Sequence, residues 1–128
     1  AGDSRWAHRP AADWAAAERR LRADTIQGRI YGGLAHMIAA RKDEPAFATR
    51  VEHVQTGNPH VLGFAHHHAS GPLLVLANFS ERPQAVSAEL LAQQGLSWPA
   101  RDLIAGVHVV PNEGLSLSPY QLAWLKPG

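Results

Sequence analysis

The sequence predicts a mainly β protein with N-terminal helices, in which an antiparallel β-sandwich fills the C-terminal two thirds. Three observations predict it. From Arg50 onward, short apolar segments alternate with Gly, Pro and Asn turns at the spacing of a sandwich. Within that region Leu73–Ser80 reads LLVLANFS, an apolar run between the turns Ala69-Ser70-Gly71-Pro72 and Ser80-Glu81-Arg82-Pro83. Such a run marks a strand buried on both faces. Before Arg50 the apolar residues recur at helical spacing instead.

Taken in order, Ala1–Pro10 (AGDSRWAHRP) is polar and Pro-terminated, and reads as an ordered loop. Asp13–Ala23 follows as a short helix, with Asp13 as N-cap, three strong helix formers at Ala15–Ala17, and Glu18 spaced to pair with Arg22. Thr25–Lys42 is the best helix. Asp24 or Thr25 can cap it, and Ile26, Ile30, Leu34, Met37 and Ile38 form an apolar row along one face. Arg41 and Lys42 complement its C-terminal dipole, and Pro45 prevents continuation. Gly28, Gly32 and Gly33 each cost about 1 kcal/mol against Ala in a helix. They are either tolerated small residues or the place where another element approaches closely.

The candidate strands are Arg50–Gln55, His60–His66, Pro72–Asn78, Gln84–Glu89, Ala100–Leu103, Val107–Val110, Leu115–Leu117 and Gln121–Leu125. Their turns carry Thr56-Gly57-Asn58-Pro59, Ser70-Gly71, Ala105-Gly106 and Asn112-Glu113-Gly114. His60–His66 and Gln84–Glu89 are the expected neighbours of the buried Leu73–Ser80 strand.

Composition narrows the function. The chain has 128 residues, 45% of them hydrophobic, enough for a core without staples. Net charge is +1, which offers no nucleic-acid surface. Residues 1–50 hold nine of the twelve Lys/Arg and six of the eleven acids, a tilt that fits a solvated helix face. With no Cys, disulfide and thiolate chemistry are excluded. No membrane-spanning run and no signal segment is visible, which favours a cytoplasmic setting. The single Met is Met37, so the chain reads as a piece of a longer protein.

No catalytic pair is assigned among the carboxylates, because Asp43 and Glu44 are adjacent in sequence and the others are scattered. His66 and His68 share a strand face and could chelate a metal, but the run leads into a hairpin tip with no other His near in sequence. No metal or cofactor is therefore assigned. Trp124 reads as core and Trp98 as cover for a sandwich edge. Gly32-Gly33 has neither a P-loop nor a dinucleotide-binding pattern.

Several stretches together resemble the C-terminal portion of a family 13 glycoside hydrolase, the α-amylase superfamily. These are Arg41-Lys42-Asp43-Glu44-Pro45-Ala46-Phe47, Asn78-Phe79-Ser80, Leu117-Ser118-Pro119-Tyr120, and Trp124-Leu125. Asp3-Ser4-Arg5-Trp6-Ala7-His8-Arg9-Pro10, the Gly28–Ala39 helix and Arg101–Gly106 narrow the resemblance to amylosucrases. The resemblance implies that residues 1–47 are the last loop and helices of a (β/α)8 catalytic barrel, and that 48–128 form the β-sandwich domain after it. It implies an enzyme that transfers glucosyl units from sucrose to an α-1,4-glucan with release of fructose, by retaining chemistry on two carboxylates. Those carboxylates lie outside this chain, which would be inactive alone. Arg5, with Asp3, Trp6 and His8, would line or support the sucrose pocket. The barrel itself would be the partner of the Ile30, Leu34, Met37 and Ile38 face. A sucrose hydrolase or other α-glucosidase of the same family, and a free-standing glycan-binding sandwich, are the alternatives.

Overall fold

The computed structural model describes residues 11–96, 99–110 and 114–128, arranged as two compact units, one ending at Ile38 and the other Ala39–Gly128. In the first, α1 (Trp14–Glu18) is capped by the Asp13 carboxylate, which accepts from Ala16 N–H at 2.9 Å. It tightens into a 3-10 turn at Arg19–Leu21, so the helix is shorter than the composition suggests. The helix has ended before Arg22, whose guanidinium pairs with Asp24 at 2.8 Å instead of with Glu18.

Helix α2 (Ile26–Asp43) starts at Thr25, whose hydroxyl accepts from Gly28 N–H at 3.0 Å and donates to the carbonyls of Arg19 and Arg22. That hydroxyl fixes where the helix begins. Its apolar row stands open, with Ile26, Ile30, Leu34 and Ile38 each 55–64% exposed. Of the three helix glycines, only Gly28 meets a close neighbour: a Cβ there would strike the Arg22 carbonyl. Among the described residues, nothing lies within 4 Å of a Cβ at Gly32 or Gly33. Gly32→Ala is therefore expected to raise helix content and stability by about 0.5–1 kcal/mol. Gly28→Ala is expected to lower both. Far-UV circular dichroism during thermal melting separates the two.

The second unit is the sandwich. Its larger sheet runs β1 (Val51–Val54), β2 (Val61–His68), β3 (Gly71–Asn78), β8 (Leu122–Pro127), β5 (Ala100–Asp102), β6 (His108–Val109), every pairing antiparallel. β4 (Gln84–Val86) and β7 (Leu115–Leu117) form a separate two-stranded sheet. Leu73, Leu74 and Leu76 on β3 are fully buried, as the LLVLANFS run predicts. Its neighbours differ from expectation on one side. β2 pairs with it, but the other partner is β8, in register Leu74 to Leu125 and Leu76 to Ala123. Sequence proximity favours β4, yet β4 crosses to the opposite layer.

That layer also contains α3 (Ala88–Gln93), where a continuing strand is expected over Gln84–Glu89. The Ser87 hydroxyl accepts from Leu90 N–H at 3.2 Å and caps a helix that buries Leu90 and Leu91 together. A strand would send these two neighbours to opposite faces. Gly114, at φ 107°, lets β7 start directly beneath the Val86 carbonyl, where any Cβ would collide. The core lies between the layers. Val61, Ala65, Leu74, Leu76, Ala123 and Leu125 from the large sheet meet Val86, Leu90, Leu91, Leu96 and Leu117.

Candidate functional site

The sequence-derived site residues Asp3, Arg5, Trp6 and His8 lie outside the described residues, as does Trp98. The described residues do show where the remaining chemistry-bearing groups go. Asp102 is buried, and its Oδ1 accepts from Trp124 N–H at 3.2 Å and Ile104 N–H at 2.9 Å. It shapes the turn that brings Gly106 N–H back to the Asp102 carbonyl at 2.8 Å. Glu44 accepts from Lys126 Nζ at 2.6 and 2.7 Å and from Ala46 N–H at 3.0 Å. Burial alone would raise its pKa. The Lys126 hydrogen bonds, the Ala46 amide and the charges of Lys126 and His68 outweigh that, and hold it below its ordinary value. Both buried carboxylates are thus committed to structure.

The three histidines diverge. His66 is buried, its Nδ1 is 3.3 Å from the Thr49 carbonyl, and its ring meets the edge of Phe47. His67 lies on the opposite face, 3.5 Å from Glu52. His68 Nδ1 accepts from Ser70 N–H at 3.1 Å and lies 2.8 Å from the Ser70 hydroxyl. The hairpin turn is only Ala69-Ser70, because β2 and β3 pair out to His68 and Gly71. No group of three or more His, Cys, Asp or Glu suited to a metal occurs among the described residues. Trp124 is buried against Phe47, with ring centroids 4.7 Å apart, which makes it core.

The Asn78-Phe79-Ser80 motif is a polar junction. Asn78 is buried, and its Nδ2 donates to the carbonyls of Arg82 at 2.7 Å, Ser118 at 2.9 Å and Leu117 at 3.3 Å. Its Oδ1 accepts from Ser80 N–H at 2.9 Å and the Ser80 hydroxyl at 2.8 Å. One side chain thereby ties the end of β3 to the Leu117-Ser118-Pro119-Tyr120 turn that leads into β8. Tyr120 takes φ 55°, a left-handed conformation uncommon outside glycine, and its N–H donates to the Ser80 carbonyl at 3.2 Å.

These junctions sit in a region that has relatives. Residues 50–126 match the family described as the C-terminal domain of amylosucrase. The chain belongs to that family. Amylosucrase C-terminal domains are therefore the frame for the sandwich, and solved structures share its fold. AmyP in complex with maltose matches 78% of this chain and 20% of its own length, at TM-score 0.65 and 15% identity. The trehalulose synthase MutB from Pseudomonas mesoacidophila MX-45 matches 76% of this chain and 17% of its own, at TM-score 0.55 and 21% identity. A MutB variant in complex with the substrate sucrose gives the same TM-score and identity. The chain spans about a fifth of the length of the solved structures it matches. No described helix is long and apolar enough to cross a membrane.

Sequence reasoning missed two features of this amylosucrase C-terminal domain. The Glu44–Lys126 pair joins residues 82 apart in the chain, and no local pattern signals it. The second is an open cleft of about 580 Å³ beside Phe79, which is 69% exposed. An aromatic following a buried polar strand end is its only sequence sign.

Proposed function

We propose that this chain is the C-terminal part of an amylosucrase-like glucansucrase, in which residues 1–47 close a (β/α)8 catalytic barrel and 48–128 form the sandwich domain beside it. The observation that carries the reading is the family match over residues 50–126. The complete enzyme transfers glucosyl units from sucrose to an α-1,4-glucan. Its nucleophile and acid/base are carboxylates of the barrel. The sandwich is structural, and Arg5, with Asp3, Trp6 and His8, serves the sucrose pocket by closing it with an acid from a distant segment. The exposed Ile30, Leu34 and Ile38 row supports a partner surface for the barrel, since an apolar stripe of this length is costly to leave in water.

The test is sucrose turnover by the longer polypeptide that carries these residues. Fructose release with growth of an iodine-staining glucan is the expected result, and Arg5→Ala is expected to lower kcat/KM about 10–100-fold, the loss of one or two hydrogen bonds to a charged group. Glucose and fructose in equal amounts with no glucan would instead assign a hydrolase. Trehalulose would assign the chemistry of the MutB relatives. No turnover of sucrose at all would overturn the reading.

A further inference from the structure

We propose that Ser70, at the tip of the β2–β3 hairpin, is a nucleophilic serine that takes an acyl group from a small activated carboxylic ester, with His68 as its proton acceptor. His68, Ser70, Lys126 and Glu44 form the site, which owes nothing to the glucansucrase reading. The hydrogen-bond directions around Ser70 follow by elimination. His68 Nδ1 accepts from Ser70 N–H at 3.1 Å, so that nitrogen carries no proton and the imidazole is the Nε2–H tautomer. The Ser70 hydroxyl lies 2.8 Å from the same nitrogen and therefore donates to it. Lys126 Nζ has hydrogens but no lone pair, and it donates to Ser70 Oγ at 3.0 Å. The oxygen thus aims its proton at a base and receives a hydrogen bond from a cation. Both contacts favour the attacking oxygen over the idle hydroxyl.

The fold holds each part in place. β2 and β3 pair out to His68 opposite Gly71, which leaves Ser70 in the turn and open to solvent. Lys126 comes from β8, and its other hydrogens go to Glu44 Oε1 and Oε2 at 2.6 and 2.7 Å. That pair is largely buried, so it keeps the ammonium aimed at Ser70. Other hydroxyls differ in what they point to. Those of Thr25, Thr49 and Thr56 donate to backbone carbonyls, and that of Ser80 meets the Asn78 amide oxygen and the Arg82 carbonyl. Such oxygens take no proton near neutral pH, whereas an imidazole does. In the step itself, Ser70 Oγ attacks the ester carbonyl carbon while its proton passes to His68 Nδ1. The bond to the leaving oxygen then breaks, and that oxygen departs with the electron pair. The imidazolium gives its proton to solvent. Water later cleaves the acyl-serine ester, which releases the carboxylic acid and restores the hydroxyl. The Ser70 N–H is committed to His68 and cannot join an oxyanion hole, which restricts the reaction to esters with a good leaving group.

The experiment is incubation of this chain with p-nitrophenyl acetate, read by p-nitrophenolate release and by peptide mapping of the acetyl group. The expected result is an acetyl group on Ser70 that hydroxylamine removes, as it does an ester and not an amide. Its rate of attachment rises with pH as His68 loses its proton, with Glu44 just past α2 and Lys126 on β8 as the charged groups beside that ring. Ser70→Ala removes the label. His68→Gln lowers the rate of Ser70 acetylation about 100-fold and flattens its pH profile, the loss of a general base. Should either variant fail to fold, the map and the pH profile of the wild-type chain decide in its place. Acetyl groups confined to Lys42, the α-amine or histidine would overturn the proposal. So would phenolate release indifferent to Ser70→Ala, or Ser70 acetylation as fast in His68→Gln as in wild type.

Discussion

Asn78→Ala is expected to cost the sandwich about 3–4 kcal/mol, read as a fall in the urea midpoint with little change in slope. Three carbonyls, of Arg82, Leu117 and Ser118, would lose their shared donor, and Ser80 would lose its acceptor. Water reaches some of them, which keeps the loss below the sum of full desolvation penalties. Asn78→Asp tests the donor half by itself. It keeps the acceptor for Ser80 but aims a carboxylate at three carbonyl oxygens in a buried site. That environment raises the pKa of the introduced Asp in the folded state. Its stability is then fullest at low pH and is lost as pH rises through the raised value. A variant whose deficit relative to wild type does not grow between pH 4 and pH 7 would show that the Nδ2 bonds do not hold the junction.

Lys126→Met is expected to cost about 2–3 kcal/mol near neutral pH, because it strands the Glu44 carboxylate, 9% exposed, with one backbone amide. Adding Glu44→Gln should recover most of the loss, since the stranded charge and not the missing contact is the larger cost. The wild-type protein carries a matching acid signature. Glu44 has a folded pKa below its ordinary 4.5, so its contribution is full above that pH and fades as pH falls through the lower folded value. Acid denaturation profiles of wild type and Lys126→Met should therefore converge at low pH. If the single variant is as stable as wild type at pH 7, the pair contributes nothing.

Much of the fold was legible because it is written in local patterns. Leu73, Leu74 and Leu76 announce a buried strand whatever surrounds them, and Thr25 and Asp13 announce their helices by cap chemistry. Pairing is not local. β3 joins β8 directly although the chain between them builds the opposite layer, and nothing within Gln84–Val86 says that it leaves the sheet. The missed α3 is a matter of competing signals: Val86 to Leu90 can be read as alternation, and only the Ser87 cap with adjacent Leu90 and Leu91 argues for a helix. The site divides in the same way. Asp3, Arg5, Trp6 and His8 rest on a motif alone and lie outside the described residues. Glu44 and Lys126 meet only because the final strand returns to the end of α2.

The place of β8 has a consequence for how the protein is made. The last of the described strands sits at the middle of the sheet, with β3 on one side and β5 on the other. Until the ribosome has released Leu122–Pro127, the growing chain can hold only two separate half-sheets, each exposing a bare edge. The sandwich must close late and in one step, through contacts distant in sequence. A nascent chain stalled before that strand is a target for chaperones, whereas one that has passed it is already shut.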